Sequence, residues 1–286
     1  MGSCRNSKVF GRWKCRVISA DNAKGEEEMI ISEMKDQVGY ISLDNSSRLN
    51  ALSAQMDDEI IACLKEFEAK KIRAVVLKAT PNKNNVWSAG HDINELPVGK
   101  RDPLGYFDHL EELLHAIQTF PAPVIAQVSG SVWGGACDLV MCCDMVIADT
   151  SATFAMTPVK LGLPYNASGI MHFLNRMHLD HVREMFFTAQ PIDVATAKEW
   201  GIVNYYVPEG ELEQKVQQML AVILNNSPMA IAVIKEQIRL LGDARPLSPD
   251  NFERLQGLRR KVYDSYDYAE GIQAFKEKRK PQYRGE

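Results

Sequence analysis

No run in this chain approaches the ~18 consecutive apolar residues that a membrane-crossing helix requires, so no membrane partner is expected. No CxxC pair occurs among Cys4, Cys15, Cys63, Cys137, Cys142 and Cys143, which sets aside zinc knuckles and thioredoxin-type redox centres. Cys63, Cys137 and Cys142 lie in apolar segments and read as small core residues in a reducing compartment. Basic residues are not in excess: 33 Lys and Arg face 37 Asp and Glu, a formal net charge of −4. That balance gives no general reason to expect a nucleic acid, and a polyanionic ligand would need a local basic patch. GxGxxG, Walker A, GxSxG and HExxH motifs are all missing. GSVWG at 130–134 has no central serine and is not a nucleophile elbow. Only His178 and His181 sit close enough to suggest a ligand pair, and without a third ligand beside them no metal is expected.

What is present is an alternation. The 286 residues, 45% hydrophobic and 24% charged, suit one large domain or a domain with an appendage. VGYISL (38–43), IRAVVLKA (72–79), PVIAQVSG (123–130), DMVIAD (144–149) and IVNYYV (202–207) read as strands. Between the first ones lie helical patterns: residues 54–70, with Met56, Ile60, Leu64 and Phe67 at helical spacing, and residues 104–119, with Leu110, Leu113, Leu114 and Ile117 on one face. GGACDLVMCC is a short apolar helix. The rhythm predicts an α/β fold with a mostly parallel sheet. Long helical patterns at 209–225, 228–241, 249–263 and 266–278 make the end of the chain helical.

The first 20 residues carry Arg5, Lys8, Arg12, Lys14 and Arg16 and no acid. Residues 1–33 are therefore read as a leader, disordered or targeting, ahead of a core at 34–209 and a helical region at 210–286. The protein is expected in the cytoplasm, or in mitochondria if the leader is a targeting segment.

WSAGHD (87–92) and GSVWGGACD (130–138) each follow a strand. Glycine lets another group approach bare backbone N–H donors, and a helix N-terminus favours negative charge. Two such donors from separate loops could converge on one oxygen as an oxyanion hole. The spacing alone also fits plain strand-to-helix turns that need glycine for their geometry.

SAGHDINEL, then PVIAQVSGSVWGGACDLVMCCDMVIA, FAMTPVKLGLPYNASGI and the closing EGIQAFKEKRKP, resemble the signature segments of the crotonase (enoyl-CoA hydratase/isomerase) superfamily over roughly residues 35–283. The resemblance implies a crotonase fold, with a ββα-type spiral core and a helical C-terminal region used for trimerisation. It implies an acyl-CoA substrate and a homo-oligomer, trimer or hexamer. It also implies two oxyanion donors, the backbone N–H groups of His91 and Gly135. Ala89, Gly90, Asp92, Ile93 and Gly134 would lie against the acyl-CoA. Arg48 would sit near its phosphates. Phe275 and Lys278, from AFKEKR, would touch coenzyme A, often from a neighbouring subunit.

The sequence also departs from the hydratase pattern. The two acid positions of hydratases fall here on Asp138, one methylene shorter than glutamate, and on Pro158, which can transfer no proton. Decarboxylation of a 2-alkylmalonyl thioester asks for less. Loss of CO2 pushes electrons onto the thioester oxygen, and two preorganised N–H donors stabilise the enolate. The expected activity is therefore that of a cofactor-independent carboxy-lyase. By resemblance, the hydroxyl of Tyr165 would hold the departing carboxylate, with Thr157 a further substrate contact and the His91 side chain a pocket wall. Asp138 either serves the site or stabilises the start of its helix. The alternatives are a hydratase or isomerase working through Asp138, and a non-catalytic RNA-binding member of the superfamily.

Overall fold

The computed structural model describes residues 28–96, 108–244 and 248–286, together with the backbone of residues 7–9 and 12–14. Strands β1 (Ser7–Val9), β2 (Arg12–Lys14), β3 (Ile30–Lys35) and β4 (Val38–Leu43) run antiparallel as successive neighbours. Helix α1 (Ala54–Ala69) leads to β5 (Ala74–Ala79) and the short β6 (Val86–Ser88). Helix α2 (His109–Thr119), β7 (Val124–Val128), β8 (Ser131–Trp133), α3 (Gly135–Cys142), β9 (Met145–Asp149) and β10 (Thr153–Ala155) follow. Then come α4 (Ala167–Leu174), α5 (Leu179–Thr188), β11 (Ile192–Asp193), α6 (Val194–Glu199) and β12 (Tyr205–Val207). Four helices finish the chain: α7 (Leu212–Leu224), α8 (Pro228–Gly242), α9 (Pro249–Tyr263) and α10 (Tyr266–Lys276).

The larger sheet has the order β1-β2-β3-β4-β5-β7-β9-β12, parallel from β4 onward. Its central strands are buried on both faces, which explains their unbroken apolar runs. On one face lie α1, α2 and α3. Helix α1 is capped by Ser53, whose side chain accepts from Met56 N–H, and buries Met56, Ile60, Leu64 and Phe67. Helix α2 is capped by Asp108 and buries Leu110, Leu113, Leu114 and Ile117. All eight residues of α3 are buried, as expected of a helix without a polar face. On the other face Leu212, Val216, Leu220 and Ile223 of α7 pack on Val38, Tyr40, Val76, Ile125 and Ile147.

Four expectations shift. The sheet reaches back past the boundary expected at 34: β3 pairs along its whole length with β4, and β2 and β1 continue it, so residues 30–33, 12–14 and 7–9 belong to strands of the sheet. Helix α7 is a layer of the core and not an appendage, since its apolar stripe covers the sheet. The strand expected at 202–207 is confined to Tyr205–Val207, and Ile202 and Val203 are buried in the turn before it. The helix expected over 104–119 starts at His109; its first four positions lie outside the described residues.

A second sheet, β11-β10-β8-β6, was not legible in the sequence. Strands β6, β8 and β10 run parallel in it. Their C-terminal ends therefore emerge on one side, where ligands bind in open α/β sheets. The segments after them hold Ala89–His91, Gly134–Gly135 and Thr157.

Candidate active site

Two of these segments meet backbone to backbone. Gly90 has φ +87°, and a Cβ there would stand 2.4 Å from the Trp133 carbonyl oxygen and 3.0 Å from the Gly135 nitrogen. Gly134 has φ +53° and ψ −122°, a conformation that other residues rarely adopt, and it turns β8 sharply into α3. A Cβ on Gly135 would lie 3.3 Å from the His91 nitrogen. The amides of His91 and Gly135 are thus neighbours drawn from separate loops.

The surrounding hydrogen bonds leave these two amides unused. Ala89 N–H donates to Leu49 O at 3.0 Å, Gly90 N–H to Ser88 Oγ at 3.2 Å and Asp92 N–H to Leu52 O at 2.8 Å. On the other loop Gly134 N–H donates to Ala155 O at 2.9 Å and Cys137 N–H to Gly134 O at 2.9 Å. Among the described residues, no acceptor is bonded to the amide of His91 or of Gly135. A bridge between Leu52 and His91 fixes the first loop, and the second donor opens a helix whose dipole favours negative charge there.

These amides face a pocket of about 90 Å³, also lined by Ala89, Ile93, Leu110, Glu111, Asp138, Thr157, Pro158 and Tyr165. Asp138 is three residues after Gly135, so both share one side of the first turn of α3. It does not cap its own helix. Its Oδ2 accepts the Tyr165 hydroxyl at 2.7 Å, and its Oδ1 lies 2.7 Å from Nδ1 of His172 on α4. Burial, with the Asp138 charge next to it, pushes the Tyr165 phenol well above its ordinary range. For His172, burial pulls the imidazole down, but the Asp138 hydrogen bond and charge outweigh it and leave the pKa raised. Glu111 is raised by burial and is held by Ser168 Oγ at 3.2 Å and Asn166 Nδ2 at 3.4 Å.

Tyr165 therefore stands in the pocket as expected, but its one proton is directed at Asp138 and not into free space. His172 and Glu111 were not foreseen. His172 meets Asp138 across 34 residues of sequence and Glu111 meets Ser168 across 57, so no local spacing announces either contact. Arg48 donates to Asp92 at 2.7 Å, so the two residues assigned to coenzyme A hold each other. Asp92 lies below the usual carboxylate range. Burial raises it, but the Asn94 and Arg48 hydrogen bonds prevail. Phe275 and Lys278 lie at the exposed end of α10 and do not line this pocket in the same chain. His178 and His181 stand edge to face with ring centroids 6.1 Å apart; His178 also faces Asp180 at 3.5 Å, and His181 stacks on Trp200 at 4.6 Å. Asp138, Cys142 and His172 bring ligand-type atoms within 4.8 Å of one another. They engage each other instead, His172 Nδ1 lying 3.4 Å from a Cys142 thiol that burial keeps protonated, whereas a metal would need the thiolate.

The chain matches the enoyl-CoA hydratase/isomerase family over residues 33–286. It is 47% identical over 250 residues to methylmalonyl-CoA decarboxylase of Escherichia coli (strain K12), covering 87% of this chain and 95% of that protein. A probable mitochondrial enoyl-CoA hydratase of Dictyostelium discoideum is 29% identical, over 87% of this chain and 88% of that protein. A solved structure of methylmalonyl-CoA decarboxylase in complex with 2-nitronate-propionyl-CoA superposes with a TM-score of 0.88 at 45% identity, covering 91% of this chain and all of that one. Another, complexed with 2S-carboxypropyl CoA, gives the same TM-score and coverage. By motif, architecture and overall similarity, the chain belongs to the enoyl-CoA hydratase/isomerase family.

Proposed function

We propose that this protein decarboxylates a 2-alkylmalonyl-CoA thioester, converting methylmalonyl-CoA to propionyl-CoA and CO2 through an enolate whose oxygen rests on the His91 and Gly135 amides. The observation that carries the reading is the pair of unused, converging amides in a pocket where Pro158 takes the place of a second acid. The likeness to the E. coli methylmalonyl-CoA decarboxylase supports the choice of substrate. As the C–C bond breaks, charge moves from the carboxylate to the thioester oxygen, and donors aimed there favour the transition state over the ground state. A substrate carboxylate beside Asp138 and Glu111 is surrounded by acidic groups, and its departure as neutral CO2 relieves that crowding of charge. The thioester is the electron sink, so the step itself calls on no cofactor.

Hydration asks for more than the pocket offers. Both Asp138 oxygens are engaged, and Pro158 has no proton to give. A homo-oligomer belongs to the same proposal. Helix α8 has no buried residue, and Met229, Val233, Ile234, Ile238 and Leu241 on it are exposed; an apolar surface of that kind calls for cover by another copy. Phe275 and Lys278 would then reach the coenzyme A of a neighbouring subunit. The test compares CO2 release from malonyl-, methylmalonyl- and ethylmalonyl-CoA by kcat/KM, with crotonyl-CoA as the control. Methylmalonyl-CoA should be the best substrate, and vigorous hydration of crotonyl-CoA without CO2 release would overturn the reading.

A further inference from the structure

A second cavity, of about 600 Å³, lies between α8 and the far end of α3, and shares no lining residue with the catalytic pocket. His172, Cys142, Arg176, Lys235 and Asp243 are on its wall. His172 thus stands between the two spaces: it is on the wall of the second cavity, while its Nδ1 lies 2.7 Å from Oδ1 of Asp138, which lines the first.

This arrangement answers two needs of the reaction. With Asp138 accepting the only proton of Tyr165, a substrate carboxylate in the pocket finds no donor in that phenol. The enolate left after CO2 departs must also gain one proton per turnover. We propose that His172 is a positioning residue that lends its Nδ1 proton to Asp138 when substrate binds, frees the Tyr165 hydroxyl for the carboxylate, and is recharged through the second cavity. This inference rests on the decarboxylase reading.

The steps balance. The His172 Nδ1–H bond breaks and an O–H bond forms on Asp138, so imidazolium and carboxylate become imidazole and carboxylic acid. The substrate carboxylate, now the stronger acceptor, takes the hydrogen bond of Tyr165. The C–C bond breaks, its electron pair enters the enolate and CO2 leaves. The Tyr165 O–H then breaks as the Cα–H bond forms, and the Asp138 proton replaces it on the phenol. Asp138 ends as carboxylate and His172 as neutral imidazole, which takes up a proton from bulk solvent by way of the second cavity and returns to imidazolium. One proton from solvent is consumed per acyl-CoA formed.

The charges around His172 favour this cycle. Asp138 and Cys142 face it from α3, Glu111 from α2 and Asp243 from the end of α8, with Arg176, Lys235 and Arg239 on the cavity wall. The acids keep the free-enzyme imidazole charged to a higher pH than an ordinary histidine.

The test follows the His172 ring by NMR in the wild-type protein, free and bound to 2S-carboxypropyl-CoA, a carboxylate-bearing ligand that cannot lose CO2. The inference predicts a ring charged in the free protein and neutral in the complex at one pH. A ring whose state the ligand leaves unchanged overturns it. In His172→Asn, which keeps a donor beside Asp138 but no titrating proton, kcat for CO2 release should fall about 10²-fold. The decline of kcat/KM at rising pH, which the free-enzyme imidazolium predicts for the wild type, should be missing from the variant, and protonation of the enolate in D2O should lose its preference for one face. A variant with wild-type kcat and facial selectivity overturns the inference, as does loss of that selectivity in Glu111→Gln alone. CO2 release by the wild-type protein separates the two readings: without it the decarboxylase assignment fails, and with it an indifferent His172 sinks only this inference.

Discussion

The Tyr165 hydroxyl donates to Asp138 Oδ2 across 2.7 Å, tying the loop before α4 to the first turn of α3. The same phenol lies in the pocket of the converging amides, so one residue both anchors a buried carboxylate and lines the candidate site. Tyr165→Phe keeps the ring and its edge contact with Phe186 while removing the hydroxyl. Because a hydrogen bond to a charged group contributes about 1.5–3 kcal/mol, kcat for methylmalonyl-CoA should fall by about one to two orders of magnitude. Propionyl-CoA, which has no carboxylate, should bind as it does to the wild type. Steady-state rates beside product-inhibition constants measure both, and an unchanged rate would confine Tyr165 to packing.

Asp57 presents a different case. Among the described residues neither of its buried side-chain oxygens has a hydrogen-bond partner, and burial, with Asp108, Glu95 and Asp58 nearby, raises its pKa to about 8. A carboxyl raised in the folded state favours folding at low pH. Its contribution is complete below the unfolded value of 3.8 and is lost as pH rises through about 8. Asp57→Asn, neutral at every pH, should therefore be more stable than the wild type above pH ~7, by about 1–3 kcal/mol given the penalty for an unpaired buried group. Denaturant titrations at pH 5 and pH 8.5 check this, and a variant less stable than the wild type at both would contradict it.

Gly90 meets the Trp133 carbonyl at a backbone angle that side chains rarely adopt. Gly90→Ala should cost about 1–3 kcal/mol of stability through backbone strain and should push the two donor loops apart. The expected signature is a kcat/KM loss larger than any change in KM for the acyl-CoA. Thermal melts and kinetics on one preparation decide it, and full activity with an unchanged melting temperature would contradict the close approach.

Arg48 and Asp92 form an ion pair with an exposed guanidinium, the arginine side chain being 61% accessible. Such pairs contribute under ~1 kcal/mol, so Arg48→Ala should barely move the melting temperature. If the guanidinium also meets coenzyme A phosphates, KM should rise several-fold with kcat preserved and with a weaker dependence on salt. Unchanged KM would reduce Arg48 to a clamp on Asp92.

Much of the fold and of the site is legible in the amino-acid sequence, for identifiable reasons. Met56, Ile60, Leu64 and Phe67 set the face of α1, and the Val- and Ile-rich runs of β5 and β7 announce strands covered on both sides. Gly134 and Gly135 point to a backbone donor, and Pro158 to the lack of a second acid. Strands β6, β8 and β10 are not visible there, since three residues carry no period and their pairing is set by the rest of the fold. His172 is equally hidden. It stands on an apolar helix, and its meaning comes only from Asp138, which approaches from another helix.

The most direct measurement is kcat/KM for CO2 release from methylmalonyl-CoA by Gly135→Pro, with its fold checked by circular dichroism. Proline is tolerated in the first position of a helix; it removes the N–H, sets a ring carbon in its place, and brings a Cβ to 3.3 Å from the His91 nitrogen and 3.0 Å from Leu110 Cδ2, so the loss should be at least that of the donor alone. Losing one oxyanion donor typically reduces the rate by about 10²–10³-fold, and a loss of that size is predicted here. A folded variant turning over within a factor of ~2 of the wild type, far inside that range, would contradict the account.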